Sequence, residues 1–225
     1  MSSVASASSS RYRDGVRAAL AVAATVWFFG ASYGLTARSA GMGAVAPLVM
    51  SATTFAGSAQ FAVTSILGAS GGTAAAIAAA VLLNARYAPI SISVAQLFQG
   101  PRLRRLLESQ LIVDESWALS SRGDGRFDRR ILLGAGLLLY VSWVGGTAVG
   151  VLAGDALGDP RDIGLDGAFP ALFLALLVPQ LRSPRARAAA VLGGAIALVL
   201  IPVTPPGTPI VAASAACLLG LRRQS

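Results

Sequence analysis

Apolar residues along this chain come in long blocks rather than in alternation with polar ones. The blocks cover about residues 16–37, 41–69, 72–98, 131–153, 167–181, 186–203 and 208–221. Several approach the ~20 residues that an α-helix needs to cross a bilayer. The pattern therefore predicts an all-α fold, a polytopic helical membrane protein with about seven apolar regions. Two polar stretches stand apart. Residues 1–15, rich in Ser and Ala, read as a disordered N-terminal tail, and residues 99–130 form a long polar break. Residues 16–225 then make up a single transmembrane domain.

Composition agrees with this. Hydrophobic residues are 55% of the 225 and charged residues only 12%, against roughly 25% charged in soluble domains. The mean hydropathy is +0.68. A net charge of +8 would suit a nucleic-acid binder, but the charge is distributed wrongly for one. Every basic residue is an arginine, and the arginines gather between the apolar blocks. This is the pattern of cytoplasmic membrane loops, so no nucleic-acid partner is expected.

The arginines also orient the chain. Arg102, Arg104, Arg105, Arg122, Arg126, Arg129 and Arg130 place residues 99–130 in the cytoplasm. Block 131–153 leads out to a stretch with Asp155, Asp159, Asp162 and Asp166. Block 167–181 returns to Arg182, Arg185 and Arg187, and the last two blocks end at Arg222 and Arg223. Arg11, Arg13 and Arg17 put the N-terminus inside as well. The first half then needs an even number of crossings, yet it holds three apolar blocks.

An internal match suggests where the extra turn lies. Trp27, Gly30, Gly34 and Ala37 recur as Trp143, Gly146, Gly150 and Ala153, 116 positions later. This W-x-x-G-x-x-x-G-x-x-A pair suggests a two-fold internal repeat, as in many transporters. By that correspondence block 72–98 matches the last two blocks, which turn at prolines. It is expected to be broken near Asn84–Pro89, as a re-entrant hairpin of two arms too short to cross. The Gly-xxx-Gly pairs themselves are read as helix-packing faces.

Candidate chemistry is sparse. There is no histidine and a single cysteine, Cys217, in an apolar block. No metal set and no cofactor motif is present, and common hydrolase chemistry is hard to assemble. In "LLNARYAPIS" (Leu82–Ser91), Arg86 sits in an apolar block, where a charge is costly unless it faces a cavity or a partner. It is either an anion ligand or a tie to backbone carbonyls freed by the helix break that Pro89 imposes. Asn84 stands beside it as donor or acceptor. In "SATTFAGSAQF" (Ser51–Phe61), the small and hydroxylated residues suit close packing, whereas the amide of Gln60 needs several partners. Asp114 and Glu115 lie together in "IVDESW", either on an amphipathic surface or as proton-coupling groups.

The stretches "FAGSAQF" (Phe55–Phe61), "LLNARYAPIS", "VDESWAL" (Val113–Leu119), "YVSWVGGTAVG" (Tyr140–Gly150) and "GLDGAFPALFLALLVPQL" (Gly164–Leu181) occur in one order along the chain. On them the chain resembles the AzlC family, the large subunits of two-component branched-chain amino acid exporters. The resemblance implies secondary export of leucine, isoleucine, valine and methionine, with a small AzlD-type membrane subunit as partner. It carries Ala56, Gly57, Gln60, Asn84, Arg86, Asp114 and Glu115 as motif matches, to which Ser58 is added as a substrate-binding candidate. Tyr87 departs from the pattern, which has histidine there in many relatives. A passive channel and a non-transporting scaffold subunit are the alternatives.

Overall fold

The computed structural model describes residues 2–123, 125–154, 174, 177–178, 181, 183–204 and 208–216. Its helices are α1 (Ser2–Ser39), α2 (Val45–Thr53), α3 (Gly57–Gly68), α4 (Thr73–Asn84), α5 (Tyr87–Val94), α6 (Arg102–Ser109), α7 (Asp114–Ser120), α8 (Arg129–Ala153), α9 (Pro184–Leu200) and α10 (Thr208–Ala213). A short antiparallel hairpin, β1 (Ser121–Gly123) with β2 (Arg126–Phe127), is the departure from an all-α fold among the described residues. Block 167–181, the acidic stretch before it and Cys217 lie outside the described residues, apart from isolated positions in the block.

Among the described residues, three helical stretches are long and apolar enough to cross a membrane: Tyr12–Ser39, Thr73–Leu97 and Arg129–Ala153. Helix α1 begins at Ser2, within the residues expected to be a disordered tail. Extending an existing helix through Ser and Ala avoids the cost of nucleating a new one.

Helices α1 and α8 are parallel neighbours, and glycine makes their contact possible. A Cβ on Gly30 would meet the carbonyl and amide backbone of Trp143 and Thr147, and one on Gly146 would meet that of Trp27 and Ala31. Gly15 and Gly134 bring Ile131 and Tyr12 into the same closeness at one end, and Gly34 and Gly150 do so near the other. The Gly-xxx-Gly pairs are therefore packing faces, as expected from small residues that let backbones touch.

The turn expected near Asn84–Pro89 lies elsewhere. Helix α2 starts beside the end of α1 and descends until Ser51 bonds Thr147 and the Ala52 carbonyl accepts from the Tyr140 hydroxyl. The chain then breaks at Thr54–Ala56, where Phe55 holds φ +43°. Helix α3 returns to the level of α1's last turn, with Thr64 against Met42 and Gly68 against Ala40. Carbonyls freed at the break are satisfied by side chains: Gln110 Nε2 donates to Ala52 and Thr53, alongside Tyr140.

Block 72–98 is interrupted between Asn84 and Tyr87, but it does not fold back. Ala85 and Arg86 keep right-handed helical dihedrals. The stretch starts near the level where α1 ends. It finishes among Tyr12, Leu132 and Leu133, at the level where α8 begins and α1 passes Tyr12. Pro89 is the third residue of α5, where its missing N–H has no intrahelical partner to lose.

The long polar break is partly packed into the helical body. Leu111 touches Gly136, and Val113 shares a buried cluster with Phe55 and Trp143. Asp128 caps α8 by accepting from the amides of Arg130 and Ile131.

Candidate functional site

Five elements meet around a cavity of about 270 Å³. Helix α1 contributes Val22, Thr25, Val26 and Phe29, one face at helical spacing. The break between α2 and α3 contributes Phe55, Gly57, Ser58 and Phe61, and α8 contributes Leu139 and Trp143. Arg86 and Tyr87 enter from the α4–α5 interruption, and Val113, Asp114 and Glu115 from the start of α7. The wall is apolar and aromatic, and its charged groups are confined to one side.

That side is organised around Arg86. Its Nη2 lies 3.0 Å from Asp114 Oδ2, with the side chains 40% and 42% exposed. The guanidinium also lies 5.2 Å from the Tyr87 ring centroid, a cation–π contact. Arg86 is thus tied to a carboxylate, not to carbonyls freed at the helix break. Asp114 and Glu115 occupy the first turn of α7, where the helix dipole favours negative charge. Ser116 fixes that turn by accepting from the Val113 amide and donating to the Leu111 carbonyl. Burial raises the Glu115 carboxyl above its ordinary range; its own main-chain hydrogen bond and the Arg86 charge oppose the rise, while Asp114 adds to it.

The candidates divide in two. Gly57, Ser58, Arg86, Asp114 and Glu115 line the cavity. Ser58 is buried, and its hydroxyl has no hydrogen-bond partner among the described residues. A Cβ on Gly57 would stand 2.9 Å from Trp143 Cη2, so glycine lets the indole close the wall. Ala56, Gln60 and Asn84 do not line it. Ala56 donates its amide to Gln60 Oε1. Asn84 lines a separate cavity between α4 and the α2–α3 hairpin, and its buried Oδ1 lacks a partner among the described residues.

Gln60 is fully buried behind the wall, in a closed ring of hydrogen bonds. Its Nε2 donates to Ser51 Oγ at 2.9 Å, and Ser51 bonds Thr147 Oγ1 at 2.9 Å. Thr147 donates to the Trp143 carbonyl, and Trp143 Nε1 returns to Gln60 Oε1 at 3.0 Å. The ring ties both arms of the α2–α3 hairpin to α8. The strong requirement of a buried amide is met here by structure.

The lining residues that the sequence did not offer as site candidates are mainly aromatic and aliphatic. Phe55, Phe61, Tyr87 and Trp143 form much of the wall, backed by Tyr33, which stacks on Trp143 at 6.0 Å. Aromatic residues in apolar blocks read equally as core, and only the position of Tyr87 beside Arg86 offered a signal.

Residues 21–157 match the family model described as AzlC protein, a segment that contains every residue lining the cavity. The chain is 34% identical over 194 residues to an uncharacterized membrane protein of Archaeoglobus fulgidus, with 82% of each chain covered. It is 28% identical over 156 residues to the branched-chain amino acid transport protein AzlC of Bacillus subtilis, covering 68% of this chain and 61% of that protein. An uncharacterized membrane protein of Helicobacter pylori is 25% identical over 175 residues, with 76% of each covered. No solved structure matches. With three helical stretches of crossing length among the described residues, these similarities make this a membrane protein.

Proposed function

The chain belongs to the AzlC family, and on that premise we propose that it is a secondary transporter, not an enzyme, that exports branched-chain amino acids. The substrates are leucine, isoleucine, valine and methionine, and a small AzlD-type subunit completes the transporter. It sits in the cytoplasmic membrane with both termini and residues 99–130 inside. In that orientation α1 and α4–α5 cross, and α2–α3 dips in from outside and returns, which gives the first half an even number of crossings.

The observation that carries this reading is the Arg86–Asp114 pair on one side of an otherwise apolar cavity. A branched-chain amino acid is a zwitterion with an apolar side chain. Its carboxylate takes Arg86 in place of Asp114, a charge-assisted interaction. Its ammonium takes the carboxylates of Asp114 and Glu115, and the Ser58 hydroxyl supplies a further polar contact. The side chain lies against Val22, Val26, Phe29 and Leu139. Once the ammonium leaves, Asp114 and Glu115 are the acidic groups available for proton coupling. Small cavities with a few placed polar groups on an apolar wall are how such ligands are generally held.

The test is leucine efflux from loaded cells expressing the chain with and without the small subunit. Efflux is expected to require both chains and to saturate. Arg86→Lys and Ser58→Ala should each raise the half-saturating concentration, Arg86→Lys by roughly tenfold for a lost charge-assisted bond. Efflux that stays linear in leucine, or that Arg86→Gln leaves unchanged, defeats the proposal.

A further inference from the structure

We propose that the groove between α5 and α6 binds the phosphate-bearing headgroup of an anionic phospholipid. The groove encloses about 420 Å³ at the level where α8 begins and Tyr12 of α1 lies. Ser91, Ala95 and Phe98 line one side, and Arg102, Arg105 and Ser109 the other.

The arginines of this region divide by task. Arg104 and Arg129 both bond Glu108. Arg102 and Arg105 pair with no carboxylate among the described residues, and both point into the groove. Two arginines and the Ser91 hydroxyl line the groove, and no carboxylate does among the described residues. A phosphate diester suits that lining, since arginine matches its oxygens in a fork geometry.

The surroundings select a lipid as the source of that phosphate. Leu103, Leu106 and Leu107 are 68%, 68% and 66% exposed, at the i, i+3, i+4 spacing of one helical face. The arginines flank that face. A helix with this division lies in the plane of a lipid–water interface, its leucines in the acyl boundary and its arginines at headgroup level. Ile92, beside Ser91 on α5, is 76% exposed and continues the apolar surface toward the bilayer. Basic pockets next to membrane helices are recurrent sites for anionic headgroups. The site is separate from the cavity around Arg86 and does not depend on what is transported there.

The full chain in neutral detergent is titrated with short-chain phosphatidylglycerol, matched phosphatidylcholine and inorganic phosphate, reading the thermal unfolding midpoint. Phosphatidylglycerol alone is expected to raise the midpoint, and to saturate. R102Q/R105Q should unfold at the same midpoint without lipid and need roughly 30-fold more phosphatidylglycerol for half-saturation, the size expected for two interfacial arginines. R185Q/R187Q, which removes the same charge at the start of α9, should respond like the unaltered chain. If R102Q/R105Q is not recovered folded, R102K/R105K takes its place, with a smaller loss because charge remains while the fork is gone. The proposal is overturned by an equal response to phosphatidylcholine, by a response that inorganic phosphate reproduces, by an undiminished response in the groove variants, or by an equal loss in R185Q/R187Q.

Discussion

Gly146 of α8 packs directly on the main-chain carbonyl of Trp27 in α1, with no room between them for a side chain. Gly30 stands in the same relation to Trp143. The contact is backbone on backbone and has no flexible group that can yield. Gly146→Ala is therefore expected to destabilise by ~1–3 kcal/mol through overpacking. Gly194, inside α9, has nothing within 4 Å of where its Cβ would be. Gly194→Ala should instead stabilise by roughly 0.5–1 kcal/mol, the gain in helix propensity. Thermal unfolding of both variants in one detergent checks this, and equal effects would remove the packing argument.

The hydrogen-bond ring makes a separate prediction for Gln60. In Gln60→Ala the Trp143 indole N–H and the Ala56 amide both lose their acceptor. Each buried donor left alone costs ~1–3 kcal/mol. The loss should appear in stability, while the half-saturating leucine concentration of the folded fraction stays unchanged. Trp143→Phe removes the indole donor, so Gln60→Ala/Trp143→Phe should cost less than the two single changes together. An additive double variant, or a large change in half-saturation for Gln60→Ala, would return Gln60 to the substrate.

How much of this was legible in the sequence differs by element. The apolar blocks that hold α1 and α8 carry the Gly-xxx-Gly signal, and both helices pack through it. The requirement for one extra turn followed from arginine placement alone. Its position did not, because Phe55 adopts a positive φ that nothing in its chemistry announces. Pro89 drew attention to a break that proved to be only an interruption. At the site, charges in apolar context stood out, and Arg86, Asp114 and Glu115 do converge. Gln60 stood out for the same reason but is consumed by the fold.

The path of the first half can be checked by single-cysteine labelling from either side of the membrane, in a chain whose Cys217 is replaced. Ala44→Cys and Gly72→Cys flank the α2–α3 hairpin at exposed positions, and Gln99→Cys follows the α4–α5 stretch. Ala44→Cys and Gly72→Cys should react from one side and Gln99→Cys from the other. All three reacting from the same side would restore a hairpin within residues 72–98. Ala44→Cys and Gly72→Cys reacting from opposite sides would make α2–α3 a crossing.

Glu108 links the polar loop to α8 through Arg129 and holds Arg104 on its own helix. Burial tends to raise its carboxyl, but the hydrogen bonds and charges of Arg129 and Arg104 outweigh this and hold it below the usual carboxylate range. A group whose value is depressed in the folded state stabilises above its unfolded value, near pH ~4.3 for glutamate. That contribution is lost as pH falls through the depressed folded value. The unfolding midpoint of Glu108→Gln should therefore lie below that of the unaltered chain at neutral pH. The gap should narrow as pH drops below the ordinary glutamate range, because acid then removes from the unaltered chain what the substitution has already removed. A gap of constant size from neutral to acid pH would show that Glu108 acts by shape and not by charge.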